Sequence, residues 1–140
     1  MIIRLLLLCF IILILPEKSM AKTQYYEDGL KFFKKQKFEE AKFKFEQDIV
    51  YNPKNELSYL YLSKIFNNLE KKELEEQNLK TVILLNPKNE EAIYQLARLK
   101  LESSDYKKSK ELNNRLTILC KKFCEKSQKL KIEIENLSKK

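Results

Sequence analysis

Apolar and small residues return to the same places every 34 positions between residues 22 and 123. Tyr25 is matched by Tyr59, Phe32 by Phe66, and Phe45 by Leu79. Small residues keep the same step. Gly29, Ser63 and Ala97 share one position, and Ala41 and Ser109 share another, with Glu75 between them. The pentapeptide Asn52-Pro53-Lys54-Asn55-Glu56 recurs as Asn86-Pro87-Lys88-Asn89-Glu90. A 34-residue period is the length of one helix–turn–helix unit that stacks on copies of itself. Proline cannot continue a helix and pushes the residue before it out of the helical region, so each Asn-Pro closes one unit and opens the next. The pattern predicts units over residues 22–55, 56–89 and 90–123. Beyond them Phe123, Leu130, Ile134 and Leu137 fall on one helical face amid Lys, Glu, Ser and Gln. That pattern predicts a last helix over residues 124–138, whose polar outer side caps the stack. The fold class expected is all-α, a helix–turn–helix repeat solenoid.

Composition agrees with long helices joined by short turns. The 140 residues include one Gly and three Pro, too little turn material for an all-β fold. A hydrophobic fraction of 44%, with eight Phe and seven Tyr, is ample for a core.

The first fifteen residues are apolar apart from Arg4, and residues 5–15 form an unbroken apolar run. Pro16, Glu17 and Lys18 end it, and Ser19-Met20-Ala21 offers the small residues of a cleavage site. This is the layout of a secretory signal peptide cut after Ala21. A retained N-terminal membrane anchor over residues 1–21 and a buried helix of the fold are the alternatives. The run is shorter than the roughly 20 residues of a full membrane span. Export would place the protein in a periplasm or anchor it in a cell envelope. Lipidation at Cys9 is rejected because Leu8 precedes it where a small residue is wanted.

Within the first unit, Tyr25, Gly29, Phe32, Phe38, Ala41, Phe45 and Pro53 stand at the offsets of the tetratricopeptide-repeat (TPR) pattern, which this chain resembles. Asp28 and Asp48 depart from it, standing in place of the usual Leu and Ala. In the second unit Lys72 and Glu75 replace an aromatic and a small residue, so Leu74 is expected to take over part of the packing. The resemblance implies a protein-binding scaffold without enzymatic activity, in which the first helices of successive units line a concave groove. Carried over by offset, the groove residues are Tyr26, Leu30 and Phe33 in the first unit. They are Leu60, Lys64 and Asn67 in the second, and Tyr94, Arg98 and Leu101 in the third. Thr23, Leu57 and Glu91 stand at the remaining offset. Such a groove would be apolar and aromatic with a basic strip at Lys64 and Arg98, suiting an extended or helical peptide with apolar anchors and an acidic or carboxylate end. Some TPR domains clamp a chaperone C-terminus with Lys, Asn and Arg. Tyr26 and Leu30 stand where that clamp needs Lys and Asn, so this mode is excluded.

Cys120 and Cys124 flank the one unit boundary without Pro. Four residues apart in a continuous helix they would be too distant for an unstrained bridge, whereas across a turn they can meet. A local disulfide, two free buried thiols and an intermolecular or redox role are the three readings.

The formal net charge is +8. Beyond residue 21 only Arg98 and Arg115 are Arg, so the nucleic-acid chemistry that depends on bidentate Arg is poorly supplied. The Lys-, Asn- and Ile-rich composition resembles the drift of an AT-rich bacterial genome. A solvated basic surface is the plain reading. Attachment to an anionic membrane or polymer is the functional one, and self-association through the aromatic side of the first unit is a further alternative. The chain has no His, no glycine-rich phosphate loop and too few ligands for a zinc site. No catalytic residue, metal or cofactor is expected.

Overall fold

The computed structural model describes residues 23–139; the apolar N-terminal run lies outside them. Among these residues there are seven α-helices and no strand. They are α1 (Gln24–Lys34), α2 (Phe38–Tyr51), α3 (Glu56–Asn68), α4 (Lys72–Leu85), α5 (Glu90–Glu102), α6 (Tyr106–Leu119) and α7 (Cys124–Leu137). Consecutive helices pack on one another, and α5 also touches α7. The result is three stacked helix pairs closed by α7.

Capping explains where the first helix of each pair begins. The Thr23 hydroxyl accepts from the Tyr26 amide at 3.1 Å, Asn55 Oδ1 from Leu57 at 3.2 Å, and Asn89 Oδ1 from Ala92 at 3.0 Å. Each satisfies one of the orphan donors of a helix start. Asn52 and Asn86 precede proline and sit at φ −134°, outside the helical region. Pro53 and Pro87 thus occupy equivalent exposed corners.

The turn inside each pair is equally regular. Gln36, Glu70 and Ser104, 34 residues apart, have φ of 57°, 55° and 62°. The next amide in each case reaches back to a helix carbonyl: Lys37 to Phe32, Lys71 to Phe66 and Asp105 to Lys100, at 2.8–3.0 Å. This is a left-handed helix stop, a conformation that costs a residue with a Cβ on the order of 1 kcal/mol and costs glycine little. All three side chains are exposed. Gln36→Gly, Glu70→Gly and Ser104→Gly should therefore each stabilise the fold by roughly 0.5–1 kcal/mol. Urea midpoints of the single variants check this; a fall in all three would contradict the assignment.

The core falls into two clusters. One joins Tyr26, Ala41, Phe45, Leu62, Ile65 and Phe66 around the first unit and α3. The other runs from Leu60, Leu79 and Val82 through α5 and α6 to Leu130 and Ile134 of α7. At the first helix crossing a Cβ on Gly29 would lie 2.8 Å from the Phe45 ring, so only glycine lets α1 and α2 approach this closely. Ser63 and Ala97 fill the equivalent small sites further along, and Ser109 Oγ donates to the Ala97 carbonyl at 2.8 Å.

Carboxylates clasp the units to one another. Buried Asp48 accepts from Thr23 Oγ1, Ser58 Oγ and, at 2.7 Å, Asn55 Nδ2, tying both ends of the first unit to α3. This network accounts for an acid where an alanine is usual. Glu56 accepts from Asn86 at 2.8 Å. Its repeat counterpart Glu90 accepts from the Lys122 and Phe123 amides, both at 2.9 Å. Burial raises the Glu90 pKa, but these backbone donors outweigh it and hold the carboxyl below its ordinary value. The last glutamate of the repeated pentapeptide thus grips the next corner of the stack. At that corner Cys120 and Cys124 are joined by a disulfide, their Cα atoms 5.2 Å apart across the α6–α7 turn.

Leu74 does not take over core packing; it is 39% exposed. Glu75 instead turns inward and is buried at the small-residue position, leaving Leu74 on the outer side of α4.

Candidate functional site

The groove faces of α1, α3 and α5 carry three adjoining depressions that all share Asn67 and Glu75. One, of about 200 Å³, is bounded by Phe33, Ser63, Lys64, Asn67, Asn68, Glu75 and Gln95. A second, of about 460 Å³, is bounded by Asn67, Glu70, Lys72, Glu75 and Glu102. The third extends past Gln95 to Arg98 and Leu99.

The nine groove residues expected from the sequence divide into four groups. Phe33, Lys64, Asn67 and Arg98 line the open depressions. Leu30 is half-buried against the first core cluster. Tyr26, Leu60 and Leu101 are buried at 3–5% exposure and offer no contact surface. Tyr26 is covered by the Phe45 and Tyr61 rings at 5.9 and 6.3 Å, and burial, followed by the nearby Tyr61, Glu27 and Asp48, raises its pKa to about 12. Tyr94 is occupied by the C-terminal cap: Phe123 lies 5.6 Å from its ring and the Lys126 ammonium 5.5 Å above it.

The expected basic strip is neutralised by acidic neighbours, one across the repeats and one within α5. Lys64 pairs with Glu91 at 2.8 Å while sitting over the Tyr61 ring. Arg98 lies 3.6 Å from Glu102. A hydrogen bond that Arg98 donates to the Tyr94 hydroxyl oxygen is the largest cause of the raised Arg98 pKa. The groove therefore presents mixed charge and amides beside an aromatic wall.

Three residues absent from the sequence-based set shape that surface. Tyr61 stacks on Phe45 at 5.1 Å and meets Phe33 edge-on at 5.0 Å, forming the aromatic wall. Gln95 lies at the equivalent position one unit on, lining the same depression. Their shared offset held Glu27, Tyr61 and Gln95, three unlike residues, so no periodic signal marked it. Glu75 forms the floor, its two oxygens 3.3 and 3.2 Å from Asn67 Nδ2. Its position in a small-residue series was the signal, read from the sequence as a weakness of packing.

Burial raises the Glu75 pKa, and the Asn67 hydrogen bond only partly opposes it. A carboxyl whose folded-state pKa exceeds the unfolded one confers stability that is complete below the unfolded value. That stability is lost as pH rises through the folded value. Above that folded value the ionised Glu75 destabilises the fold. Glu75→Ala, which restores the residue type of Ala41, should there stabilise the protein by on the order of 1 kcal/mol. The gain should shrink as pH falls toward the ordinary glutamate value. Thermal melts of both proteins across this range test it, and a gain independent of pH would contradict the buried-carboxylate explanation.

Among the described residues no group of acidic or cysteine side chains could hold a metal ion. No helix there is long and apolar enough to cross a membrane.

The architecture is that of TPR domains. The first TPR domain of Spaghetti (RPAP3), solved with the HSP90 peptide SRMEEVD, superposes with a TM-score of 0.74 at 19% identity, covering 83% of this chain and 91% of that one. The TPR domain of Sgt2 from Aspergillus fumigatus gives 0.71 at 16% identity, covering 89% and 88%. The Yersinia enterocolitica type III secretion chaperone SycD, in complex with a peptide of the translocator YopD, gives 0.73 at 16% identity, covering 84% and 93%. No family model matches the sequence. No curated protein matches it in sequence.

Proposed function

We infer that this protein is a non-enzymatic scaffold that takes a peptide segment of a protein partner into its concave groove. The observation that carries this reading is the joining of an aromatic wall, Phe33 and Tyr61, to open depressions bordered by Asn67, Asn68 and Gln95. An aromatic or aliphatic anchor would sit against the rings, while the amides hydrogen-bond an extended backbone. Structures of the same fold with bound HSP90 and translocator peptides support it. The paired state of Lys64 and Arg98, together with buried Tyr26, favours a peptide of mixed character over an acidic chaperone C-terminus. Peptides selected from a random display library against the full chain should bind wild type and lose at least most of their affinity for Asn67→Lys/Gln95→Lys. Equal binding by both proteins would remove the groove from consideration.

The setting we assign is a bacterial cell envelope, reached through residues 1–21 as signal or anchor. The support is the sequence layout of that segment and the disulfide at Cys120–Cys124, which suits an oxidising compartment. Fusing residues 1–30 to an alkaline phosphatase that lacks its own leader tests it. Activity outside the cytoplasm is the predicted result, and an inactive fusion retained in the cytoplasm would refute export.

A further inference from the structure

Val50, Leu84 and Ile118 are 75%, 80% and 84% exposed, and they are 34 residues apart. Each is the penultimate residue of the second helix of its unit, so the three form a stripe along one edge of the stack. Core packing needs none of them. A solvated face would carry polar residues at such positions, and one exposed apolar side chain would call for no explanation. The same position kept apolar in all three units does.

Each stripe residue sits beside a corner that carries lysine. Lys54, Lys88 and Lys122 are also 34 residues apart, and all are exposed. No ion pair is found for any of these three ammonium groups among the described residues. Apolar side chains flanked by lysines are the composition of a surface that enters the headgroup region of an anionic bilayer. The start of the described chain lies at the same edge. Tyr25, in the first turn of α1, stacks on Tyr51 at 5.3 Å, directly beside Val50. Upstream, past residues 16–22, comes the apolar run of residues 5–15.

We propose that this edge rests on an anionic lipid surface, with Val50, Leu84 and Ile118 dipping among the headgroups and Lys54, Lys88 and Lys122 facing phosphates. The concave groove is a separate surface and stays open to a partner. A bilayer that receives residues 5–15 would lie against this edge, with anionic headgroups meeting the lysine at every corner.

The chain has no tryptophan, so a single introduced indole reports its own surroundings. Leu84→Trp and Ile118→Trp in the full chain are mixed with vesicles of equimolar phosphatidylglycerol and phosphatidylcholine carrying brominated acyl chains. Lys107→Trp, at the far end of the same helix as Ile118, is the reference. Both stripe indoles should shift to the blue and lose most of their emission, while the reference stays unchanged. Lys54→Glu/Lys88→Glu/Lys122→Glu should restore the emission. Vesicle binding that leaves the stripe indoles in water would mean that residues 5–15 act alone and would overturn the proposal. So would absence of binding, or stripe indoles already blue-shifted without vesicles, which would mark a second copy or the N-terminal run as the occupant.

Discussion

Phe45→Ala is expected to cost about 3–5 kcal/mol, the usual loss for deleting a fully buried aromatic ring. Phe45 is wholly buried at the centre of the first core cluster. It stacks on Tyr61 at 5.1 Å, meets Tyr26 at 5.9 Å and covers Gly29. Losing it opens a cavity between α1, α2 and α3 that neighbouring rings, each held by other contacts, cannot close. Total domain stability is only about 5–15 kcal/mol, so the variant should sit near its unfolding transition. The second core cluster runs from Leu60 of α3 onward and does not include Phe45. Amide exchange should therefore accelerate first in α1 and α2 and remain slow in α5 and α6. Uniform acceleration would show that the stack unfolds as one unit.

Gly29→Ala is the second large effect, and its sign runs against helix propensity. Alanine at an interior helix position is favoured over glycine by about 1 kcal/mol. Here the new Cβ would stand 2.8–3.0 Å from three carbons of the Phe45 ring. That ring is sandwiched by Tyr61 and cannot slide away without disturbing it. Overpacking of this kind costs roughly 1–3 kcal/mol, so the net result should be a loss. A double-mutant cycle with Phe45→Leu separates the two effects. In that background the clash is relieved, and Gly29→Ala should become neutral or stabilising, as residues in direct contact are non-additive. The same loss in both backgrounds would place the cause elsewhere.

The fold was legible because one period carries it. Gly29, Ser63 and Ala97, the Asn-Pro corners and the capping face of α7 all follow from spacing and from what proline and glycine do to a backbone. The left-handed residues Gln36, Glu70 and Ser104 share no side-chain type, so the sequence held no sign of them although the backbone repeats there. The groove was legible only as a set of helix faces. An offset rule gives the direction of a Cα–Cβ bond but not where a long side chain ends. Tyr26 accordingly folds under Tyr61, and Tyr94 lies under Phe123. Nor does it give ion pairing, which turned the expected basic strip into Lys64–Glu91 between two units and Arg98–Glu102 within α5. Glu75 went unnoticed as a groove residue because it breaks the small-residue pattern of its column, and Tyr61 because its column of Glu27, Tyr61 and Gln95 has no pattern. Reading the departures from a repeat as candidate site residues would have found Glu75.

The groove claim is tested most directly by titrating a display-selected peptide into isotope-labelled full chain and mapping the amide shifts. Saturable shifts at Phe33, Lys64, Asn67, Gln95 and Arg98, abolished in Asn67→Lys/Gln95→Lys, are predicted. Shifts confined to α2, α4 and α6, or surviving unchanged in the double variant, would contradict it.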